Sequence, residues 1–302
     1  MMKRITILGS INVDVILEIS RLPKPGETMP MKSLSTAGGG KGANQAIAAV
    51  RSGAATTFIG KVGDDAYGEK MLTILKENNI DTSSVIIKKG GQTGQAYILL
   101  QESGQNSIII NGGTNREITA NDVIKAQNSI KNADFLIAQF EVDIERILEA
   151  FIIAHKNKVV TILNPAPAKD ITDDLLKITD LIVPNEIEAQ MMTGIEITDE
   201  NTAAEAAKIL RKRGVKNVII TLGSQGAYYL TESEDGLIPA LRVNAIDTTA
   251  AGDTFIGALC SQLENNLGNI KEAIKYATKA SSITVQKLGA IPSIPTIKQV
   301  NG

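Results

Sequence analysis

Four short runs decide the fold: Asp134–Gln139 (D-F-L-I-A-Q), Val159–Asn164 (V-V-T-I-L-N), Asp180–Asn185 (D-L-I-V-P-N) and Asn217–Gly223 (N-V-I-I-T-L-G). Each reads as a buried strand, and the segments between them carry apolar residues at helical spacing, as in Ile144–His155. Regular alternation of this kind is most economically a parallel sheet wrapped by helices. Ligands of such sheets bind outside the carboxyl ends of the strands. At those ends stand Glu141, Asn164, Asn185 with Glu188, and the turn Thr221–Gly226.

Downstream, Asp247–Phe255 (D-T-T-A-A-G-D-T-F) follows an apolar run, Leu241–Ile246, read as a strand, and leads into a helical pattern. Small residues at Ala250, Ala251 and Gly252 let an anion approach the free amides of a helix N-terminus. Asp253 beside such a cradle would repel phosphate unless it is there to take a proton. The competing reading is a first-turn carboxylate favoured by the helix dipole. Asn185 and Glu188 lie one helical turn apart. They suit either a Mg²⁺ held partly through water or an N-terminal capping box.

Upstream, Lys3–Gly9 reads as a strand that continues into an alternating segment placing Asn12 and Asp14 on one face. Pro23, Pro25 and Gly26 mark a turn, and Thr28–Thr36 reads as extended. The run A-G-G-G-K-G-A-N-Q-A, spanning Ala37–Ala46, opens a helix. Lys41 is followed by Gly42, so the phosphate-binding P-loop pattern fails, and no acidic ribose contact completes a dinucleotide fingerprint. A glycine loop against a small polyhydroxy ligand, with Asn44 offering a two-way amide, fits better. Between Gln92 and Asn111 two β-like runs flank Glu102–Gln105 as a hairpin, which with the earlier strands would form a small antiparallel sheet over a site.

The chain has 302 residues, 43% hydrophobic, and a net charge of −2 with scattered Lys and Arg, which argues against a nucleic-acid partner. Its one cysteine, Cys260, falls in the apolar pattern of a helix, and its one histidine, His155, at a helix end. Cysteine zinc sites, His-based metal clusters and a Ser-His-Asp hydrolase are therefore unsupported, leaving carboxylates, amides, lysine and backbone for chemistry. No run approaches membrane-spanning length, and a cytoplasmic protein is expected.

The segments G-S-I-N-V-D, P-K-P-G-E-T, G-G-K-G-A-N-Q-A, G-D-D-A-Y-G, N-P-A-P-A, P-N-E-I-E-A, I-T-L-G-S-Q-G, D-T-T-A-A-G-D-T-F and G-A-I-P-S run almost end to end. Together they resemble the ribokinase-like carbohydrate kinase family. The resemblance implies an α/β fold with a central mostly parallel sheet flanked by helices. It also implies one kinase domain over 1–302 whose small β lid comes from segments about 12–36 and 92–112. It further implies transfer of the ATP γ-phosphoryl group to O5 of D-ribose, giving D-ribose 5-phosphate and ADP, in a homodimer joined through the lid. Sugar contacts then fall on Asn12, Asp14, Gly40, Lys41, Asn44 and Glu141. The base falls on Asp253, and the anion hole on amides from Ala250 through Ala251 and Gly252 to Asp253. Asn185, Thr221, Gly223, Ser224, Gly226 and Gly252 match the nucleotide side, and Thr278 stands where the family commonly has His or Asn beside adenine. Asn185 and Glu188 would serve Mg²⁺. Asp247, Thr249, Thr284, Lys287, Gly289 and Ser293 would surround an activating K⁺. Two alternatives stay open: a kinase for deoxyribose, a nucleoside or another furanose, and a non-catalytic sugar binder on the same scaffold.

Overall fold

The computed structural model describes residues 2–302. In chain order its strands are β1 (Arg4–Leu8), β2 (Asn12–Ile19), β3 (Ser33–Gly39), β4 (Ala55–Gly63), β5 (Asp81–Lys88), β6 (Gly94–Gln101), β7 (Asn106–Asn111), β8 (Phe135–Gln139), β9 (Val160–Asn164), β10 (Leu181–Ile182), β11 (Asn217–Thr221), β12 (Ala227–Leu230) and β13 (Asp235–Ile238). The helices are α1 (Lys41–Arg51), α2 (Ala66–Glu77), α3 (Ala120–Lys125), α4 (Gln127–Lys131), α5 (Ile144–Lys156), α6 (Asp173–Lys177), α7 (Glu186–Thr193), α8 (Glu200–Lys212), α9 (Ala251–Gln262), α10 (Ile270–Thr284) and α11 (Ile297–Asn301).

Nine strands form the main sheet in the order β13-β12-β11-β10-β9-β8-β1-β4-β5. All neighbours are parallel except the β11-β12-β13 edge, which is a pair of hairpins. The interior strand β8 is buried at every residue, as expected when helices cover both faces of a parallel sheet. One core, holding Ile7, Ile47, Phe58 and Leu259, lies under α1, α2, α9 and α10. The other, holding Leu136, Phe151, Leu176 and Tyr228, lies under α3 to α8. Buried Cys260 belongs to the first of these.

Four strands form a second sheet in the order β3-β2-β6-β7. The hairpin at Glu102–Gln105 is present, closed by the Gln101 amide on the Gln105 carbonyl at 2.9 Å. This sheet departs from the antiparallel expectation at its centre. β2 and β6 run parallel over eight residue pairs, because each enters from the main body at the same end. β3 begins at Ser33, so only the last part of the extended Thr28–Thr36 segment is paired.

Two sequence expectations fail in the main body. The strand read over Asp180–Asn185 is cut to β10 because Pro184 has no N–H to give a ladder; only Asn185 pairs again, with Thr221. Leu241–Ile246 is no strand at all. The β12-β13 hairpin already occupies the sheet edge, and Leu241 and Ile246 are 50% and 64% exposed. The segment is pinned instead to the end of α10, with the Ile246 and Asp247 amides both donating to the Val285 carbonyl, at 2.7 and 3.2 Å.

Candidate active site

The loops after β1, β8, β9, β10 and β11 converge on the first turns of α1 and α9. Gly40, just before α1, has φ of +95°, and a Cβ there would meet the Asn12 amide nitrogen at 2.8 Å and the Ser10 carbonyl at 2.9 Å. Only glycine allows this turn. Helix α1 therefore starts against the end of β1, its Ala43 amide donating to the Ser10 carbonyl at 3.0 Å. Further along, α1 crosses α9 at Gly257, where any side chain would run into the backbone of Gln45 and the methyl of Ala48.

That crossing brings the amides of α1 to Asp253 in the first turn of α9. Asn44 Nδ2 donates to Asp253 Oδ2 at 3.0 Å, and Gln45 Nε2 to Asp253 Oδ1 at 3.0 Å. Burial pushes the Asp253 carboxyl above the usual carboxylate range. The Lys41 ammonium and these two amides work against that rise. Lys41 is held above its ordinary value although burial opposes its charge, because Asp253, Glu141 and Glu188 surround it. Asn44 Oδ1 is buried with no partner in the chain. An orphaned acceptor next to a carboxylate is suited to a hydroxyl donor.

Ala250 caps α9 in the left-handed region, φ 61°, a conformation unfavourable for a residue with a Cβ. The Ala251 amide is already spent on the Thr248 carbonyl at 3.2 Å, so the expected four-amide cradle loses one member. Among the described residues the Gly252 and Asp253 amides have no acceptor in the chain, and a Cβ on Gly252 would meet nothing within 4 Å. They face a cavity of about 200 Å³ that is also lined by Lys41, Asn164, Asn185, Glu188 and Thr221.

The expected sugar residues lie on the other side of Lys41. Asn12 and Asp14 share one face of β2, opposite Gly39 and Ala37 of β3. Asn12 Oδ1 accepts from Asn115 Nδ2 at 2.7 Å, and Asn115 Oδ1 in turn accepts from the Ile11 amide at 2.9 Å. Glu141 accepts from the Ser10 hydroxyl, from the Lys41 amide at 3.2 Å and weakly from Asn12 Nδ2 at 3.5 Å. The Asp14 carboxyl is pushed up to about 6, first by burial and then by the charges of Glu141 and Asp253.

Asn185 and Glu188 do form the capping box: the Glu188 amide reaches Asn185 Oδ1 at 2.8 Å and the Asn185 amide reaches Glu188 Oε2 at 2.9 Å. Both still line the cavity, with Glu188 Oε1 left over from the cap. Burial raises the Glu188 carboxyl, against its cap hydrogen bond and Lys41. Among the described residues no three His, Cys, Asp or Glu come together as a metal cage. One spare carboxylate oxygen suits a Mg²⁺ that arrives with nucleotide phosphates and keeps its waters.

Other expected positions stand apart from the cavity. Gly223 and Ser224 sit on an exposed turn, and Gly226 is glycine because a Cβ would strike the β13 backbone at Ile238. Thr278 is buried midway along α10. Asp247 accepts from the Thr249 amide at 2.9 Å and the Gly289 amide at 2.8 Å. The Thr284 and Ser293 hydroxyls are spent on Thr254 and Ala290. A cation in this loop would therefore rely on carbonyl oxygens, with Asp247 shaping the loop. Ser10, Asn115 and Gln139 were not expected. Gln139 could have been found, since it ends a strand at the rim; nothing in the sequence marks Asn115.

Comparison with known proteins shows which family the chain is similar to. The family model described as pfkB family carbohydrate kinase matches residues 2–297. The chain is 49% identical over 302 residues to a ribokinase of Staphylococcus aureus, covering 100% of this chain and 99% of that one. It is 33% identical to a deoxyribokinase of Salmonella typhimurium, covering 98% and 97%. The solved structure of Arabidopsis thaliana ribokinase complexed with ribose and ATP superposes with a TM-score of 0.90 at 32% identity, covering 100% and 98%. With a cradle of free amides, a buried acid beside it and this relationship over nearly its whole length, the chain belongs to the pfkB family of carbohydrate kinases.

Proposed function

We propose that this chain is an ATP-dependent ribose kinase that transfers the γ-phosphoryl group to O5 of D-ribose, giving D-ribose 5-phosphate and ADP. One observation carries the reading: a buried Asp253, clamped by two amides, stands in the same helical turn as the unpartnered Gly252 and Asp253 amides. The identity to a ribokinase over the full chain directs it to ribose.

Asn12, Asp14 and Glu141 grip sugar hydroxyls, because a carboxylate accepts from a diol and loses those bonds when a hydroxyl is missing. Asn44 uses its free Oδ1 for the reactive hydroxyl and its Nδ2 for Asp253, so it sets the alcohol beside the base. Asp253 takes the hydroxyl proton as oxygen attacks phosphorus. The Gly252 and Asp253 amides and the Lys41 ammonium receive charge on the transferring group, which asks little else of the protein. Asn185 and Glu188 would hold Mg²⁺ through water, where it neutralises phosphate charge; carbonyls of the Asp247–Ser293 region would hold K⁺.

The β3-β2-β6-β7 sheet, from segments 12–36 and 92–112, serves as a lid over the sugar in a single kinase domain. Its Asp14 face continues through the register Ile16, Ile98, Ile108 and Asp14, Ala96, Ile110, with Ile108 and Ile110 about half exposed. An apolar sheet face of this kind suits contact with a second copy. Among the described residues no helix is long and apolar enough to cross a membrane. ADP release measured over pentoses, hexoses and nucleosides, with Mg²⁺ and with or without K⁺, tests the reading. D-ribose leads the panel if it is right. A higher kcat/KM for deoxyribose or a nucleoside would move the substrate, and ribose binding without ADP release would leave only a binder.

A further inference from the structure

Gln45 does more than touch Asp253. Its Nε2 gives one N–H to Asp253 Oδ1 at 3.0 Å and the other to Asn164 Oδ1 at 3.1 Å, while its Oε1 accepts from Gln139 Nε2 at 2.6 Å. Gln45 and Gln139 are both fully buried. The arrangement has one sense only. Turned end for end, the Gln45 amide would aim its oxygen at the oxygens of Asp253 and Asn164 and its nitrogen at the donor of Gln139. Asn164 is locked in turn, its Nδ2 donating to the Val183 carbonyl at 3.0 Å.

Gln139 is the member that opposes the turn, since it gives Gln45 Oε1 its donor. Holding it there has a cost: Gln139 Oε1 is buried with no partner in the chain. That oxygen lies where a side chain on residue 9 would begin, so Gly9 is the gap that admits it. The ends of β8 and β9 and the first turns of α1 and α9 thus meet at the Gln45 amide. An unpaired buried acceptor retained beside a directed amide chain points to a role outside stability.

We propose that Gln45 and Gln139 are positioning residues for phosphoryl transfer, forming a directed amide relay that fixes the Asp253 carboxylate and favours its ionised form, with Gly9 leaving the space it needs. This rests on the reading of Asp253 as the base. The charged groups facing Asp253 are Lys41 of α1, Asp14 of β2, Glu141 after β8 and Glu188 of α7. Lys41 favours the ionised acid and the three carboxylates oppose it, so the amides add to a minority of stabilising contacts. Without them the acid protonates at higher pH, and the acid limb of kcat against pH moves up.

The test compares Gln45→Met and Gln139→Met, neutral and close in volume, with the parent and with Asp253→Asn as control, after circular dichroism confirms folding. Gln45→Met should lower kcat about tenfold or more, move the acid limb of kcat up by about one pH unit, and leave KM for ribose within about threefold. Gln139→Met should shift both quantities in the same direction by less, because Gln45 keeps its donors but loses its orientation. A folded variant of either kind that loses thermal stability while kcat and the acid limb stay at the parent values overturns the relay. Should Gln45→Met not fold, Gln139→Met decides alone. If Asp253→Asn keeps parental activity, the base assignment itself has failed. An inactive Asp253→Asn beside a parental Gln139→Met removes only the relay.

Discussion

Asn44 Nδ2 lies 3.0 Å from Asp253 Oδ2, joining residues 209 positions apart through the crossing of α1 and α9. The same Asn44 keeps a buried oxygen free. With Asp253 as the proposed base, one side chain would orient both the proton acceptor and the hydroxyl that gives the proton. Replacing Asp253 by Asn should keep ribose binding within a few-fold by calorimetry and lower turnover about 10²–10⁴-fold in an ADP-release assay. Activity close to the parent would remove Asp253 from the chemistry.

Gly252→Ala separates the cradle from the fold. The position is helical and a Cβ there meets nothing, so the change should leave the protein folded, with stability equal or higher by up to about 1 kcal/mol. The methyl would nevertheless occupy the cavity in front of the free amides. Turnover should fall about 10²-fold, comparable to loss of an oxyanion donor. A melting curve and kcat measured on one sample check both halves. Unchanged kcat would place the phosphoryl group elsewhere.

Asp14 predicts a pH effect with two signs. Its carboxyl, raised to about 6, is protonated more readily in the folded than in the unfolded chain between about pH 4 and 6. Folding thus binds a proton there, and ligand-free stability falls as pH rises through about 6. Asp14→Asn should raise the melting temperature of the free protein at pH 8 by a few degrees. Ribose binding runs the other way, because the diol needs the carboxylate. KM for ribose in the parent should climb as pH drops below about 6, and this limb should vanish in Asp14→Asn, which binds ribose weakly throughout.

The 113–122 segment supplies Asn115 to Ile11 and Asn12 and is anchored by a buried ion pair. Lys61 Nζ stands 2.6 Å from Asp122 Oδ2 and 2.6 Å from the Glu117 carbonyl, with both side chains about nine-tenths covered. Asp122→Ala should cost roughly 3–5 kcal/mol in urea unfolding by stranding the ammonium. The double change with Lys61→Met should recover much of that loss. Equal losses for the single and double variants would show that the pair matters only through the α3 cap.

Ile108→Asp with Ile110→Asp charges the face of the β3-β2-β6-β7 sheet that carries Asp14. If this face joins two copies, sedimentation at micromolar concentration should show a dimer for the parent and a monomer for the variant. Identical profiles would exclude the lid as the contact.

Much of this was legible in the residues. Alternation from Phe135 to Thr221 gave the parallel sheet, and period two placed Asn12 and Asp14 together, because both depend on local spacing. Asp253 stood out for being chemically misplaced beside small residues. Leu241–Ile246 misled because an apolar run says nothing about whether a sheet edge is free to receive it. Asn185 and Glu188 satisfied the cap and the cavity at once, so their spacing could not separate the two roles. Asn115 was invisible because its partners, Ile11 and Asn12, lie over a hundred positions away.

The strand that carries Asn12 and Asp14 is also the middle of the covering sheet, paired to β3 on one side and β6 on the other. On the proposed assignment of Asn12 and Asp14 to the sugar, recognition and cover are one mechanical part. A pentose gripped there would pull on the roof itself, while water, which is too small to span both side chains, would leave the house open and the nucleotide unspent.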